Sequence, residues 1–181
     1  MFKSVRNVTV LAGGALALVV GVLGMASPAH ATDYWIRFIN EKSGLCMGVS
    51  GGVMTPGRAI IQWTCNGNDD QYWGPVSSSG GGIGVTQTYQ NYQDPNYCLS
   101  VSNNSTTAGA AIVIALCDGG NSQKWTMTNV GTDGWQQIET TLTNFHSGLV
   151  LAVSAGSTSN GAAIIQWSYN GTSDTSQLWT D

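Results

Sequence analysis

The chain has 181 residues, 42% of them apolar and only 9% charged, against roughly 25% charged in an ordinary soluble protein. Its formal net charge is −4, which excludes ligands such as nucleic acid and anionic membrane that are held by Lys and Arg neutralising phosphate. Seven Trp and abundant hydroxyl and amide residues remain, so the surface must be polar but mostly uncharged, a surface suited to neutral hydroxylated ligands.

The first element in chain order is a leader. Lys3 and Arg6 make a basic start, an apolar run follows from Val8 to Met25, and Ala29-His30-Ala31 supplies a small-x-small cleavage pattern, as in a secretory signal. The run is shorter than the roughly 20 apolar residues a bilayer span needs and ends at Ser27-Pro28. A signal peptide is therefore expected over residues 1–31, with a secreted, extracellular mature chain from Thr32 to Asp181. That chain keeps Arg37, Lys42, Arg58 and Lys124 against ten acidic residues, a net charge of −6. It holds no further stretch long enough to cross a bilayer, so no membrane contact is expected after the leader is removed.

Beyond the leader, no window carries sustained helical spacing of apolar residues. Short β-branched and aromatic runs follow one another instead: Trp35–Ile39, Ile60–Thr64, Ile83–Thr88, Ile112–Leu116, Trp135–Leu142 and Ile164–Tyr169. Asn66-Gly67, Asp118-Gly119, Asn160-Gly161 and Asn170-Gly171 punctuate them, and such pairs favour tight hairpins. The segments repeat. Cys46-Met47-Gly48-Val49 returns 52 residues later as Cys98-Leu99-Ser100-Val101 and 52 later again as Val150-Leu151-Ala152-Val153. Gly57, Gly109 and Gly161 open matching segments, and every copy closes on Gln-x-Trp, at Gln71/Trp73, Gln123/Trp125 and Gln177/Trp179. One repeat can rarely bury its apolar face alone, so three copies predict one all-β domain over 32–181 with pseudo-three-fold symmetry. The repeats run about 34–76, 83–128 and 135–181, each with about four short strands, roughly twelve in all. Ser77–Gly82 and Asn129–Gly134 read as joints between copies. Val49/Val101/Val153, Ile60/Ile112/Ile164 and Trp73/Trp125/Trp179 are the consistently apolar triplets and are expected to form the shared core.

The four cysteines lie in the exported part, where disulfides persist. Cys46 and Cys65 stand 19 apart, as do Cys98 and Cys117, and the third copy has Val150 and Tyr169 at both places. Joint loss of both members is what a local pair would undergo, so Cys46–Cys65 and Cys98–Cys117 are the predicted bridges. A metal site would call for CxxC spacing or accompanying histidines, and neither is present; no cofactor is expected.

This arrangement resembles the ricin B-chain type of β-trefoil lectin, or carbohydrate-binding module family 13. The resemblance rests on three Gln-x-Trp endings, the Cys-x-x-Val entry of two copies and the Gly-x-Ala-Ile-Ile-Gln-Trp segments ending at Trp63 and Trp167. It implies a β-trefoil in which six strands form a barrel and six a hairpin cap. It also implies carbohydrate binding in up to three shallow pockets, one per repeat; the mature chain is expected to be a monomer. The family's pocket Asp matches Gly48, Ser100 and Ala152, its aromatic platform Trp63, Ala115 and Trp167, and the residue before the Gln-x-Trp glutamine Asp70, Ser122 and Ser176. Pockets are thus expected in the first and third copies, with Trp63, Gln62, Asp70 and Gln71 in one and Trp167, Gln166, Ser176 and Gln177 in the other. The second, with Ile114-Ala115, is expected to be silent.

Nothing local points to catalysis. His146 is the one histidine of the mature chain and parallels Lys42 in a turn, Glu41 and Glu139 are its only glutamates, and Asp69-Asp70 follow a turn. A glycosidase needs two positioned carboxylates, and no HExxH, GxSxG or phosphate loop occurs. The expected function is binding of neutral glycans or polysaccharide without chemistry. The alternative is a trefoil scaffold that contacts a protein, as an inhibitor or interaction module.

Overall fold

In the computed structural model, residues 35–76 and 82–181 are described. The leader expected over 1–31 lies outside them, as does the Ser77–Gly82 joint except for Gly82. Twelve strands form: β1 (Ile39–Asn40), β2 (Cys46–Val49), β3 (Ile60–Trp63), β4 (Trp73–Pro75), β5 (Thr86–Asn91), β6 (Tyr97–Val101), β7 (Ile112–Leu116), β8 (Lys124–Thr132), β9 (Ile138–Asn144), β10 (Val150–Val153), β11 (Ile164–Trp167) and β12 (Trp179–Thr180). Short 3-10 turns are the only helical elements among the described residues, and none is long and apolar enough to cross a membrane.

Six strands close a barrel. β1 pairs with β12, β12 with β9, β9 with β8, β8 with β5 and β5 with β4, and the bridge Ile36↔Trp73 returns β4 to the first segment. The other six form three hairpins, β2–β3, β6–β7 and β10–β11, in the same register, with Val49 opposite Ile60, Val101 opposite Ile112 and Val153 opposite Ile164. The hairpins join in a ring through Ala59↔Val113, Ala111↔Ile165 and Ile61↔Ala163. Three matching amides complete it: Gly57 donates to the Ile114 carbonyl, Gly109 to Gln166 and Gly161 to Gln62, at 2.8, 2.8 and 2.9 Å. These glycines hold φ of +83°, +89° and +83°, a region where a Cβ is costly. This is a β-trefoil, and each hairpin turn leans on the next copy.

The core follows from the repeat. The three Val, three Ile and three Trp of the apolar triplets are all at most 2% exposed. Each Trp indole also donates to a β2, β6 or β10 carbonyl: Trp73 to Met47, Trp125 to Leu99 and Trp179 to Leu151. A buried indole N–H thus finds its partner. Both disulfides join the predicted pairs, Cys46–Cys65 and Cys98–Cys117.

The Asn129–Gly134 segment is no loose joint. β8 runs on to Thr132 and pairs with β9 across a bulge at Asn129/Gly131. Asp133 then ties the turn by accepting from the Trp135 and Gln137 amides at 2.8 and 2.7 Å.

Candidate functional site

Two cavities open where a hairpin meets the loop before its Gln-x-Trp. The first, about 410 Å³, is lined by Trp63, Ile61, Asn66, Asp70, Gln71 and the glycines of the 48–52 segment, with Gly161 of the third copy at its edge. The second, about 590 Å³, holds the corresponding residues of the third copy, Trp167, Ile165, Asn170, Ser176 and Gln177, with Gly109 of the second copy. Each is a seam between neighbours.

The platforms stand outside the core. Trp63 is 44% and Trp167 43% exposed. Strand alternation turns them outward, while the residues before them, Gln62 and Gln166, turn inward and are fully buried. Each ring lies over a glycine turn of the preceding copy around the ring of hairpins. A Cβ on Gly161 would stand 3.8 Å from Trp63 Cζ3, and one on Gly109 3.5 Å from Trp167 Cζ3. Gly57 is the matching turn for Ala115, and there nothing lies within 4 Å of such a Cβ. The middle copy has an empty bay where a ring would rest.

The carboxylate of the first pocket is Asp70, as expected from the sequence. At Gly48 a Cβ would stand only 2.8 Å from Asp70 Oδ2, so the glycine makes room for the Asp70 carboxylate. Asp70 Oδ2 accepts from the Val49 amide at 3.1 Å. The group is 9% exposed. Burial pushes its pKa up, hydrogen bonds from the Val49 and Asp70 amides pull it back, and the Asp69 charge adds a smaller upward push.

The third copy reaches the same end differently. Six residues separate Cys65 from Gln71 and Cys117 from Gln123, but eight separate Tyr169 from Gln177. The longer loop carries Asp174 into the cavity. Ser176 Oγ donates to Asp174 Oδ1 at 2.6 Å and Asn170 Nδ2 to Oδ2 at 2.9 Å. These two bonds, above all that from Ser176, hold its pKa below the usual range against partial burial, and the Lys42 charge helps. Sequence reading missed Asp174. The two-residue excess in the third Gln-x-Trp spacing was the available signal.

Of the four glutamines expected in the pockets, Gln71 and Gln177 line them and the other two do not. Gln62 and Gln166 line neither cavity. Gln62 Nε2 donates to the Ser157 and Ser159 carbonyls, and its Oε1 accepts from Ser43 Oγ; Gln166 does the same with Ser105, Thr107 and Ser147. Their amides are spent pinning one copy to the next. Gln71 and Gln177 touch the cavities but are 1% exposed. Each clasps its hairpin exit, donating to the Thr64 or Ser168 carbonyl and accepting from the Asn66 or Asn170 amide. Gln123 repeats this with Leu116 and Asp118, so the clasp belongs to the fold in all three copies. The carboxylate facing the first cavity is Asp70, and that facing the second is Asp174, with Ser176 and Lys42 beside it. In the middle copy, Ser100 Oγ lies 3.4 Å from Ser122 Oγ, with Ala115 in place of a ring. Among the described residues, no group of three His, Cys, Asp or Glu is placed to hold a metal ion.

Residues 34–179 match the model of the ricin-type beta-trefoil lectin domain. No curated protein is significantly similar in sequence. Among solved structures, the designed 3-fold symmetric protein ThreeFoil shares 31% identity over 81% of this chain and 98% of its own, with a TM-score of 0.70. An exo-beta-1,3-galactanase from Clostridium thermocellum shares 30% identity over 80% of this chain, with a TM-score of 0.68, but this chain covers only 29% of the galactanase. The C-half of an earthworm R-type lectin, in complex with GalNAc, matches 81% of this chain and 98% of its own at 14% identity and a TM-score of 0.57, a likeness of fold alone. The domain match over most of the chain, with the barrel, cap and paired bridges described above, places the chain in the ricin-type β-trefoil lectin family.

Proposed function

We propose that the mature chain is a secreted, non-catalytic carbohydrate-binding protein that takes glycans or polysaccharide through the pockets of the first and third copies. The observation that carries this reading is the pairing, in each cavity, of a half-exposed Trp with a carboxylate. A sugar ring presents C–H edges to an indole face and hydroxyls to acceptors around it, and shallow sites of this kind need a few well-placed polar groups. The middle copy, with Ala115 and two serines, is the silent one. The alternative of a scaffold contacting a protein draws its support from the missing family Asp at Gly48, Ser100 and Ala152. Asp70 and Asp174 remove much of that support by standing in for it. A glycan array probed with the mature protein tests the reading: binding to a defined set of glycans is expected, and a blank array at high protein density contradicts it.

A further inference from the structure

The two pockets are not chemical copies. A buried Asn opens each inter-copy turn and fixes it to the preceding copy. Asn40 Nδ2 donates to the Ser176 and Leu178 carbonyls, Asn91 to Asp70 and Tyr72, and Asn144 to Ser122 and Lys124. Two residues further on stand Lys42, Gln93 and His146, and the first two reach a glycine corner of the preceding copy. At the first pocket, Gln93 Nε2 donates to the Gly52 carbonyl at 3.0 Å and is tied to backbone. At the third pocket, Lys42 takes the corresponding place: a Cβ on Gly156 would lie 2.7 Å from its Nζ, and Lys42 lines the cavity.

The carboxylates differ to match. In the first pocket Asp70 Oδ2 accepts from the Val49 amide, and its Oδ1 faces the Gly52 corner, 3.9 Å from where a Cβ would stand. That pocket offers an acceptor with a negative charge. In the third pocket both oxygens of Asp174 already accept from Ser176 and Asn170, while the Lys42 ammonium, with three donors, offsets its charge. That pocket offers a cationic donor beside the Trp167 ring.

We infer that the third pocket takes a sugar residue bearing a carboxylate, held by the ammonium that the first copy lends to it, while the first pocket takes a neutral one. The inference rests on the sugar-site reading above and narrows it: the ligand is a glycan that carries both acidic and neutral residues, and the two sites engage different units of it. The neutral-ligand expectation drawn from overall charge then holds for the first pocket alone. A carboxylate in the first pocket would meet Asp70 across a shallow gap, whereas in the third it gains a charge-assisted hydrogen bond, roughly twice as strong as a neutral one.

The test uses the mature protein with 15N-labelled tryptophan, so that the Trp63 and Trp167 indoles report each pocket separately. The Trp63→Ala variant isolates the third pocket. The probes are oligogalacturonate and oligoglucuronate, each beside its carboxyl-reduced neutral counterpart. At least one acidic oligomer is expected to bind the third pocket about tenfold more tightly than its neutral counterpart, with the advantage shrinking as salt is raised. Lys42→Gln should erase the preference without abolishing neutral binding, and Lys42→Arg should keep it. Equal affinity for acidic and neutral forms in both pairs, or a preference that survives Lys42→Gln, overturns the inference and leaves the pocket reading standing. If no probe of either kind moves the Trp167 indole in the parent protein, the pocket reading falls and the inference falls with it.

Discussion

At the scale of single residues, the decisive feature is where each carboxylate gets its environment. Asp70 is buried and its pKa is raised above 3.8, whereas Asp174 is held by Ser176 and Asn170 and its pKa is lowered below 3.8. The sign is therefore opposite in the two pockets. On acidification Asp70 takes up its proton first and ceases to be a charged acceptor, while Asp174 stays ionised. For stability, ionised Asp70 is unfavourable to the fold, so protonating it costs the fold nothing. Asp174 contributes stability that is present above 3.8 and fades only as pH falls through its lowered value. Sugar binding at the Trp63 pocket should thus weaken at a higher pH than binding at the Trp167 pocket, with the fold intact; an NMR titration following both indoles across pH 3 to 7 reads this directly, and parallel loss at both sites would contradict it. Gln62 gives the converse case. Its side chain satisfies two carbonyls and a hydroxyl in a buried seam, so Gln62→Ala should cost about 3 kcal/mol, since each buried group left unpaired costs about 1–3 kcal/mol. Denaturant unfolding measures it. Sequence suggested Gln62 as a ligand contact because it sits beside Trp63, but strand alternation sends neighbours to opposite faces, and which of the two faces outward is decided by tertiary packing.

At the scale of the hairpins, the three copies solve one problem with different staples. β2–β3 and β6–β7 are each cross-linked at their base by a disulfide, whereas β10–β11 has Val150, 3% exposed, and Tyr169, 44% exposed, at the same positions. A loop of this size is worth about 3 kcal/mol in the chain-entropy picture. Replacing Cys98 and Cys117 together by Ala should lower the unfolding free energy by about that amount, read by denaturant melts of the mature protein. The bridges were legible in the sequence because the repeat alignment left one consistent pairing. So were the core triplets, whose periodicity survives in all three copies. Asp174 was not, because the extra two residues of its loop fall outside the repeat register. The empty bay over Gly57 yields a further expectation. Ala115→Trp should be accommodated there with a change in stability within about 1 kcal/mol, as for a partly exposed surface position, and should give the middle copy a ring facing the same way as Trp63 and Trp167. A loss of several kcal/mol would show that the bay is not the equivalent it looks.

At the scale of the whole molecule, the trefoil places two seams that pair an exposed Trp with a carboxylate, and one that lacks the ring, around a pseudo-three-fold axis, so that seams formed between copies face outward in different directions. Each is shallow and holds few polar groups. Retention on a polymer would then come from both engaging one strand or surface, where linkage can raise apparent affinity by about 10² or more if the ligand spans the sites. The fold itself could be read from the 52-residue repetition because that repetition dictates how the copies bury their faces. The pockets could be read only in part, since they are built from pairs of copies and the residue facing Gly52 or Gly156 comes from a turn outside the repeat's own motif. The central claim is that Trp63 and Trp167 serve ligand and not the core, and retention of the mature protein on insoluble xylan and galactan measures it most directly. Trp63→Ala and Trp167→Ala should each cut retention sharply and the double variant should abolish it, while the thermal midpoint moves by only a few degrees. Retention that survives the double substitution, or single variants that unfold, would contradict the account.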